Sequence, residues 1–378
     1  MFDIYQESIK LHRRHQGKLE VKSKVPLVSR DDLALAYTPG VAEISRVIAQ
    51  NQAEAKKLTL KGNTVAVISD GSAILGLGNL GALAALPVME GKCILFKEFA
   101  DVDAFPICLD TQDEEEIIKT IKYLAPAFGG INLEDISAPR CFTIEERLRK
   151  ELDIPVMHDD QHGTATVVLA GLINALLVQN SQKEEARVLV NGAGAAGIAI
   201  AKLLLLYGFQ DLIVCDRQGA IYEGREGLNS TKKELALLTN KHKVSGDLAK
   251  VIQGKSVFIG VSAPDVLSME MIAKMSPKPI IFALANPVPE INPDLAKQAG
   301  ALVVATGRSD YPNQLNNVLA FPGIFRGALD NKVLQITDEM LIRASENLAS
   351  LVEDPNENYI LPDPFDKRVA TTVAAAIY

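Results

Sequence analysis

A glycine-rich turn at 192–197 constrains the fold of this chain more than any other feature. The turn reads GAGAAG, follows an apolar run at 187–190 and precedes an apolar helical pattern at 198–207. Such a turn lets the backbone approach a pyrophosphate, which then lies at the N-terminus of the helix. The pattern therefore predicts a Rossmann unit that binds a dinucleotide through Gly192, Gly194, Ala195, Ala196 and Gly197. The alternative is a turn whose glycines serve packing only.

An acidic residue follows the next apolar run. Residues 212–215 are typical of a strand, and Asp216 comes directly after them. An acid at this point can accept hydrogen bonds from the ribose hydroxyls and repel a 2′-phosphate, which favours NAD. The adjacent Arg217 can accommodate that phosphate, so NADP stays an alternative.

The length of the chain predicts two α/β domains. It has 378 residues, 48% of them hydrophobic, which is more than one ordinary core accommodates. Short apolar runs alternate with helical patterns, as in layers built around parallel strands. Strands are predicted at 65–68, 93–96, 105–109, 129–133, 154–157, 187–190, 212–215, 256–259, 279–283 and 301–304. Helices are predicted within residues 1–60 and at 114–124, 164–178, 198–207, 337–352 and 367–377.

Bulk composition excludes several classes of function. The net charge of −8 and the pI near 5.3 disfavour nucleic-acid binding. The N-terminus has no apolar stretch typical of a signal peptide, and the longest apolar run, 164–178, is too short to span a bilayer. Cysteines are scattered without a CxxC pair, which indicates reduced thiols. We therefore expect a cytoplasmic protein that binds neither nucleic acid nor membrane.

Two acidic pairs predict a metal site. Glu134 and Asp135 follow one predicted strand, and Asp159 and Asp160 follow another. Loops at such strand ends converge on ligands in open α/β sheets, and clustered carboxylates suit Mg²⁺ or Mn²⁺. The alternative is that these acids are helix caps or solvated side chains.

Two other patterns permit weaker hypotheses. His158 and His162 have the spacing of zinc ligands on a helix, but no glutamate follows the first histidine and Gly163 follows the second. A second glycine match at 76–81 lacks a preceding strand. It indicates a tight helix start near the substrate rather than a second dinucleotide site.

Seven motifs, in this order, resemble the malic enzyme family in its compact prokaryotic form. The resemblance covers nearly the whole chain, and the combination is far more specific than any single motif. The motifs are YTPGVA at 37–42, SDGSAILGLGNLG at 69–81, PVMEGK at 87–92, GINLED at 130–135, HDDQHGTA at 158–165, ANPVPE at 285–290, and NN at 316–317 before FPG at 321–323.

The resemblance implies a fold and a set of residue roles. An amino-acid-dehydrogenase-like substrate and metal domain at 1–158, completed by C-terminal helices at 318–378, would face a Rossmann domain at 159–317 across a cleft. The implied roles are Tyr37 as general acid, Lys92 as general base, Asp159 as partner of that lysine, Glu134, Asp135 and Asp160 as metal ligands, and Asn286 and Asn317 as residues that hold substrate and nicotinamide.

The implied activity is the metal-dependent oxidation and decarboxylation of L-malate to pyruvate, with decarboxylation of oxaloacetate as a side activity and a homodimer as the unit. A lysine base requires a depressed pKa near neutral pH. In one place the chain departs from larger eukaryotic members, because Ala73 stands where an arginine clamps a substrate carboxylate. Three alternatives remain: a malolactic-type enzyme that retains its cofactor and releases lactate, a metal hydrolase built on the two histidines, and a non-catalytic nucleotide sensor.

Overall fold

A computed structural model describes residues 3–378, which form two parallel sheets surrounded by helices. The strands are β1 Thr64–Ser69, β2 Asp103–Cys108, β3 Gly130–Leu133, β4 Val156–His158, β5 Arg187–Asn191, β6 Asp211–Asp216, β7 Gly219–Ala220, β8 Val257–Gly260, β9 Ile280–Ala283 and β10 Val303–Thr306. The helices are α1 Ile4–His15, α2 Arg30–Ala36, α3 Val41–Gln50, α4 Ala55–Leu58, α5 Ala82–Ala100, α6 Glu114–Leu124, α7 Arg140–Glu151, α8 Asp159–Gln179, α9 Ala195–Tyr207, α10 Ser230–Leu238, α11 Leu248–Val251, α12 Met269–Ile272, α13 Pro293–Gln298, α14 Phe321–Asp330, α15 Asp338–Ser350 and α16 Arg368–Ala374.

The first sheet has the strand order β2-β1-β3-β4, and all its pairs are parallel. Strands β1 and β3 are buried along their whole length, which explains why they read as continuous apolar runs. The chain adds β2 on one side of β1 and β3 on the other. Parallel sheets bind ligands where the order reverses in this way, beyond the carboxyl ends of the strands.

The second sheet has the order β10-β9-β8-β5-β6-β7, parallel except for the short β7 at its edge. Here the order reverses between β5 and β8, and the predicted glycine turn leaves the end of β5. Two parallel α/β layers of this kind confirm the predicted fold class. The domain boundary at residue 158 stays a prediction.

Helix α8 connects the two sheets and packs against α9 and α15. It has 21 residues and is long and apolar enough to cross a membrane by length and composition. The apolar run at 164–178 is therefore part of a longer helix, and its length alone does not exclude a membrane span. Burial decides the matter instead, because 72% of its most apolar window lies inside the protein. Such burial is typical of a core helix, and the acidic Asp159 and Asp160 stand at its start.

The C-terminal helices return to the first sheet. Phe321 and Phe325 of α14 pack edge-on against Phe96 of α5, with ring centroids 4.7 and 5.5 Å apart. The side chain of Asn174 in α8 donates hydrogen bonds to the carbonyls of Ala349 and Ile360, both at 2.9 Å. The tail therefore holds α5 and α8, the two helices that carry the candidate catalytic residues.

The N-terminal segment, residues 3–63, contributes little to the core. Helix α2 begins with a capping box in which Ser29 and Asp32 bond each other's backbone, as its acidic first turn predicts. Helices α1, α2 and α3 contain no buried residue. Apolar side chains of the segment, which include Leu35 of α2 and Leu27 and Val28 before it, are exposed to solvent. This segment is therefore an arm with apolar groups that its own chain does not cover.

One strand prediction was wrong. Residues 93–96 lie in helix α5, which buries Cys93 and Phe96 one turn apart. A short apolar run fits a buried helix as well as a buried strand, and periodicity alone does not separate them. The start of this helix was predicted correctly, because it follows the second glycine motif at Gly81.

Candidate active site

Three carboxylates meet where the first sheet ends. Glu134 and Asp135 follow β3, and Asp160 stands in the first turn of α8. One ligand oxygen from each lies within 4.8 Å of the others, and the backbone N–H of Asp135 donates to Oδ2 of Asp160 at 2.8 Å. Such crowding brings together like charges that a folded chain would normally separate.

The electrostatics of this cluster fit a divalent cation. Burial, together with the charge of Asp160, raises the pKa of Asp135 to about 7. Burial also raises the pKa of Glu134. Oδ2 of Asp135 is buried and has no hydrogen-bond partner among the described residues. Hard oxygens, mutual repulsion and an unsatisfied buried atom are what a Mg²⁺ or Mn²⁺ site requires, so these residues fit the predicted metal.

Lys92 projects from α5 into the same cluster. Its Nζ lies 2.7 Å from Oδ2 of Asp159 and 2.9 Å from Oε1 of Glu134, and 4.3 Å above the ring of Phe321. Burial disfavours the charged lysine, but the two carboxylates outweigh burial and raise its pKa. The structure thus differs from the expectation of a depressed pKa, because the lysine has two anionic neighbours.

A buried network supports Asp160 from behind. Glu145 of α7 accepts hydrogen bonds from the backbone N–H of His158 and from the side chain of Gln161, both at 2.9 Å, and lies 3.0 Å from Nε2 of His162. His158 in turn contacts Gln161 through Nδ1 at 3.0 Å and Asp160 through Nε2 at 3.2 Å. The two histidines therefore support the carboxylate site and do not converge as zinc ligands. This geometry disfavours the hydrolase hypothesis.

The second sheet supplies the dinucleotide turn as predicted. Gly192 has a φ of +124°, a conformation that favours glycine, and a Cβ on Gly197 would clash with the carbonyl of Gly192. A Cβ on Gly194 would meet nothing within 4 Å, so this glycine borders open space at the start of α9. The residues form a cradle whose backbone can approach a pyrophosphate, which fits the predicted cofactor.

Asp216 ends β6 as predicted, but it is not free. Arg225 contacts both of its oxygens, at 3.0 and 2.5 Å, and Nζ of Lys232 lies 2.7 Å from Oδ2. Burial opposes ionisation, but these hydrogen bonds prevail and lower the pKa of Asp216 to about 2. No sequence pattern pointed to Arg225 or Lys232, because Arg225 lies in a loop and Lys232 in a helix, both without a motif.

One cavity of about 880 Å³ extends from the carboxylate cluster to the dinucleotide turn. We call the part around the carboxylates the metal end and the part around the turn the coenzyme end. The walls of the cavity include predicted residues from both ends, namely Lys92, Glu134, Asp135, Asp160, Ala196, Asn286 and Asn317. Leu75 and Gly76 of the second glycine motif also line it, in agreement with a position near the substrate. His12 and Lys18 line it too, and neither was singled out in the sequence.

Tyr37 is a predicted catalytic residue that the structure does not bring to this cavity, whereas Asp159, which is also absent from the wall, bonds Lys92 on it. Tyr37 follows the last residue of α2, its side chain is 64% exposed, and it is absent from the cavity wall. Within one chain the proposed general acid and general base are therefore not neighbours. The role of Tyr37 stays a prediction.

Comparison with known proteins identifies the relatives of this chain. Residues 16–149 match the malic enzyme N-terminal domain, and residues 161–378 match the malic enzyme NAD-binding domain. The chain is 57% identical to the bifunctional malic/malolactic enzyme of Bacillus subtilis, over 99% of this chain and 92% of that protein. It is also 57% identical to the NAD-dependent malic enzyme of Geobacillus stearothermophilus, over 96% of this chain and 76% of that protein.

Solved structures give the same result. The NAD-dependent malic enzyme of Thermotoga maritima superposes with a TM-score of 0.95 at 51% identity, and covers 100% of this chain and 99% of that one. Among the relatives compared by sequence, the NADP-dependent malic enzyme of Escherichia coli is 48% identical over 96% of this chain. This chain spans half of the length of that protein. The resemblance drawn from the seven motifs is thus confirmed: the chain belongs to the malic enzyme family.

Proposed function

We propose that this protein oxidises L-malate and decarboxylates it to pyruvate and CO₂, with reduction of NAD and dependence on Mg²⁺ or Mn²⁺. The observation that carries the proposal is Lys92, a buried lysine bonded to Asp159 and Glu134 inside a cavity that also borders a dinucleotide cradle. A proton acceptor, a carboxylate cluster and a hydride-acceptor site in one cavity are the parts that this reaction requires.

Each bound group supplies one kind of chemistry. A divalent cation on Glu134, Asp135 and Asp160 would supply a Lewis acid that polarises the oxygens of the substrate. The nicotinamide would accept the hydride from C2 of malate. Asn286 and Asn317 line the same cavity and would orient the substrate through their amides.

Lys92 and Asp159 would handle the hydroxyl proton together. Lys92 stays protonated while both of its carboxylate partners are ionised, so it can act as a base only after it passes a proton to Asp159, whose Oδ2 lies 2.7 Å away and whose pKa burial raises. A cation held by Glu134 would offset one of the two negative charges that raise the pKa of Lys92, and would so favour this transfer. The amine then takes the proton of the malate hydroxyl as the hydride leaves. Because Asp159 is completely buried, the pair exchanges protons without direct access to water.

The proposal is tested by absorbance at 340 nm with L-malate, either NAD or NADP, and either Mn²⁺ or EDTA. We expect formation of the reduced cofactor with Mn²⁺ only, accompanied by pyruvate. A protein that turns over fully in EDTA, or that binds NAD without turning over malate, would contradict the proposal and favour a metal-independent enzyme or a nucleotide sensor.

A malolactic activity is the second candidate. The 57% identical relative from Bacillus subtilis is named a bifunctional malic/malolactic enzyme. The same cavity holds both substrate and cofactor groups, so a retained reduced cofactor could pass its hydride to pyruvate. Lactate formation from malate without net accumulation of NADH distinguishes this activity from the first.

We further propose that NAD is preferred over NADP. Arg225 and Lys232 fix Asp216 at the end of β6 as an ionised carboxylate, which can accept hydrogen bonds from the ribose hydroxyls. The Geobacillus relative is named as NAD-dependent. The cations Arg217, Arg225 and Lys232 are the groups that could favour NADP, because they would attract a 2′-phosphate. A higher kcat/KM with NADP than with NAD would contradict this proposal.

We also propose that the protein is a homodimer in which the N-terminal arm, residues 3–63, packs on a second copy. The arm exposes apolar side chains from α2 and α3, and further leucines are exposed at Leu75, which lines the cavity, and at Leu77 and Leu80 shortly after it. In such a dimer Tyr37 would reach the cavity of the other copy and supply the proton that converts the enolate to pyruvate. A site shared between copies explains why Tyr37 and Lys92 are apart in one chain.

Mixing two inactive variants tests the shared site. Lys92→Ala and Tyr37→Phe, refolded together, should form heterodimers with one intact site and recover about a quarter of the activity of the parent. Each variant refolded alone is the control. Full inactivity of the mixture, or a mass near the 40.8 kDa of one chain by light scattering, would contradict the proposal.

We propose a cytoplasmic location as well. The four cysteines are free thiols, three of them buried, as expected in a reducing compartment. Cell fractionation tests it, and recovery of the protein with the membrane fraction would contradict it.

A further inference from the structure

The metal end of the cavity, where the substrate would bind, has no evident cation for the second carboxylate of a dicarboxylate substrate. Asp159 and the three proposed metal ligands carry four carboxylates, against which stand Lys92 and one divalent cation. A dicarboxylate brings two further negative charges into a buried site, and buried charges require partners. Ala73, which lines the cavity, carries no charge, so the positive charge would come from another residue.

Lys18 is placed to supply it. Among the residues that line the cavity, the long cationic side chains are Lys18, Lys92 and Arg217. Lys92 is already bonded to two carboxylates. Arg217 directly follows Asp216 and stands at the coenzyme end. Lys18 is therefore the remaining cationic side chain that could pair with a substrate carboxylate at the metal end.

The arm residues around Lys18 are attached to α5, the helix of Lys92. The backbone N–H of Lys18 donates to Oε2 of Glu90 at 3.1 Å, and its Nζ donates to the carbonyl of Pro87 at 2.7 Å. A side chain at Gly91, the residue before Lys92, would begin 3.5 Å from that Nζ. The ammonium group thus lies along the same stretch of α5 that presents the proposed general base.

The ammonium group of Lys18 also has unused capacity. Of its three N–H groups, one bonds the neutral carbonyl of Pro87, and no carboxylate oxygen lies within 4.0 Å of Nζ in residues 3–378. Burial lowers the pKa of Lys18, partly offset by the charge of Glu90, so the group is incompletely hydrated. His12 lines the same wall, and its buried Nε2 also lacks a partner within the described residues.

We propose that Lys18 binds a carboxylate of the dicarboxylate substrate. The inference rests on the proposed function. It assigns part of substrate recognition to the N-terminal arm, which contributes almost nothing to the core.

The test compares Lys18→Gln and Lys18→Arg with Lys24→Gln. Glutamine keeps a donor for the carbonyl of Pro87 but removes the charge. Lys24 is an exposed lysine on the same arm, bonded to Asp103 outside the cavity. In Lys18→Gln we expect the KM for L-malate to rise roughly ten- to a hundredfold, the range for a lost hydrogen bond between charged groups, with the KM for NAD unchanged. Lys18→Arg should recover most of this loss, and Lys24→Gln should behave as the parent.

Inhibition separates recognition from a merely structural effect. Tartronate, a dicarboxylate, should lose affinity in Lys18→Gln, whereas glycolate, a monocarboxylate, should bind as in the parent. A malate KM within twofold of the parent, or equal losses for tartronate and glycolate, would overturn the inference. Absence of malate oxidation by the parent enzyme would instead overturn the proposed function, and this inference with it.

Discussion

The two ends of the cavity place an aspartate in opposite electrostatic surroundings. At the coenzyme end, Asp216 is paired with Arg225 and Lys232, and its pKa falls to about 2. At the metal end, Asp135 is crowded by Asp160 and by burial, and its pKa rises to about 7. The coenzyme end is electrostatically complete within one chain. The metal end is complete only when a cation binds, so ligand binding and stability are coupled there.

The largest effect expected from this contrast is on turnover. Asp135→Ala removes a metal ligand, so kcat should fall by a factor on the order of a thousand or more, because several kcal/mol of charge stabilisation are lost. NAD binding, measured by fluorescence titration, should stay within about twofold of the parent if the coenzyme end is independent. Loss of NAD affinity in proportion to turnover would break the comparison.

Two half-reactions, the oxidation at C2 and the protonation of the enolate, should depend on different residues. Lys92→Ala should lose malate oxidation and also the reduction of oxaloacetate by NADH, because both need a proton relay at C2. Tyr37→Phe should still reduce oxaloacetate, but its conversion of enolpyruvate to pyruvate should fall roughly a hundredfold, as expected for a lost general acid.

Circular dichroism of both variants controls for folding. Equal loss of the two half-reactions in Tyr37→Phe, or normal malate turnover, would show that the assignment of the acid is wrong.

A smaller effect concerns the support behind the metal ligands. Glu145→Gln keeps the shape of the side chain but removes its charge and replaces one acceptor oxygen with an N–H donor, so it weakens the contacts with His158, Gln161 and His162. We expect the Kd for Mn²⁺, measured by electron paramagnetic resonance, to rise roughly ten- to a hundredfold, the range for lost second-layer partners of a metal. Glu146→Gln, on the exposed face of the same helix, is the matched control. Equal Mn²⁺ affinity in both variants would show that Glu145 does not support the metal ligands.

The smallest effect is on stability, and its sign differs between the two ends. The pKa of Asp135 is about 7 in the folded chain, above its ordinary value of 3.8, so metal-free stability is lost as the pH rises toward 7. Asp135→Asn should therefore raise Tm in EDTA by about 2 °C or more at pH 8, and less at pH 5.

Asp216 provides the opposite case. Its pKa is about 2, below 3.8, so its stabilising effect is fully present above pH 4 and is lost only as the pH falls toward 2. Asp216→Asn should lower Tm by similar amounts at pH 8 and pH 5. Differential scanning calorimetry at both pH values decides between this pattern and one in which both ends behave alike.

Local patterns were sufficient for the coenzyme end. Gly192, Gly197 and Asp216 stand within one βαβ unit, and their roles follow from turn geometry and strand position alone. The strand at 93–96 failed for an equally local reason, because four apolar residues fit the buried face of a helix as well.

The metal end required long-range contacts that periodicity does not contain. Lys92 and Asp159 are 67 residues apart, and only the family resemblance paired them. Glu145 sits in a helix rich in charged residues and looks there like any solvated acid, although it is buried. Lys18 gave no signal because a lysine in a polar arm is ordinarily a surface residue. These residues are recognised by their burial and by the distant residues that they contact in the fold, rather than by their residue type.

The attachment of α8 to the tail has a consequence for biosynthesis. This helix carries Asp159 and Asp160, yet Asn174 within it bonds carbonyls 175 and 186 residues later. A nascent chain that has finished both sheets can already pack α9 against α8, but it still lacks the partners of Asn174 and the packing of α15. We therefore expect catalytic competence to appear late in synthesis, after the C-terminal helices emerge. Premature release would yield a chain with two layered sheets and an apolar helix exposed on the side that α15 covers, which is a substrate for chaperones and proteases.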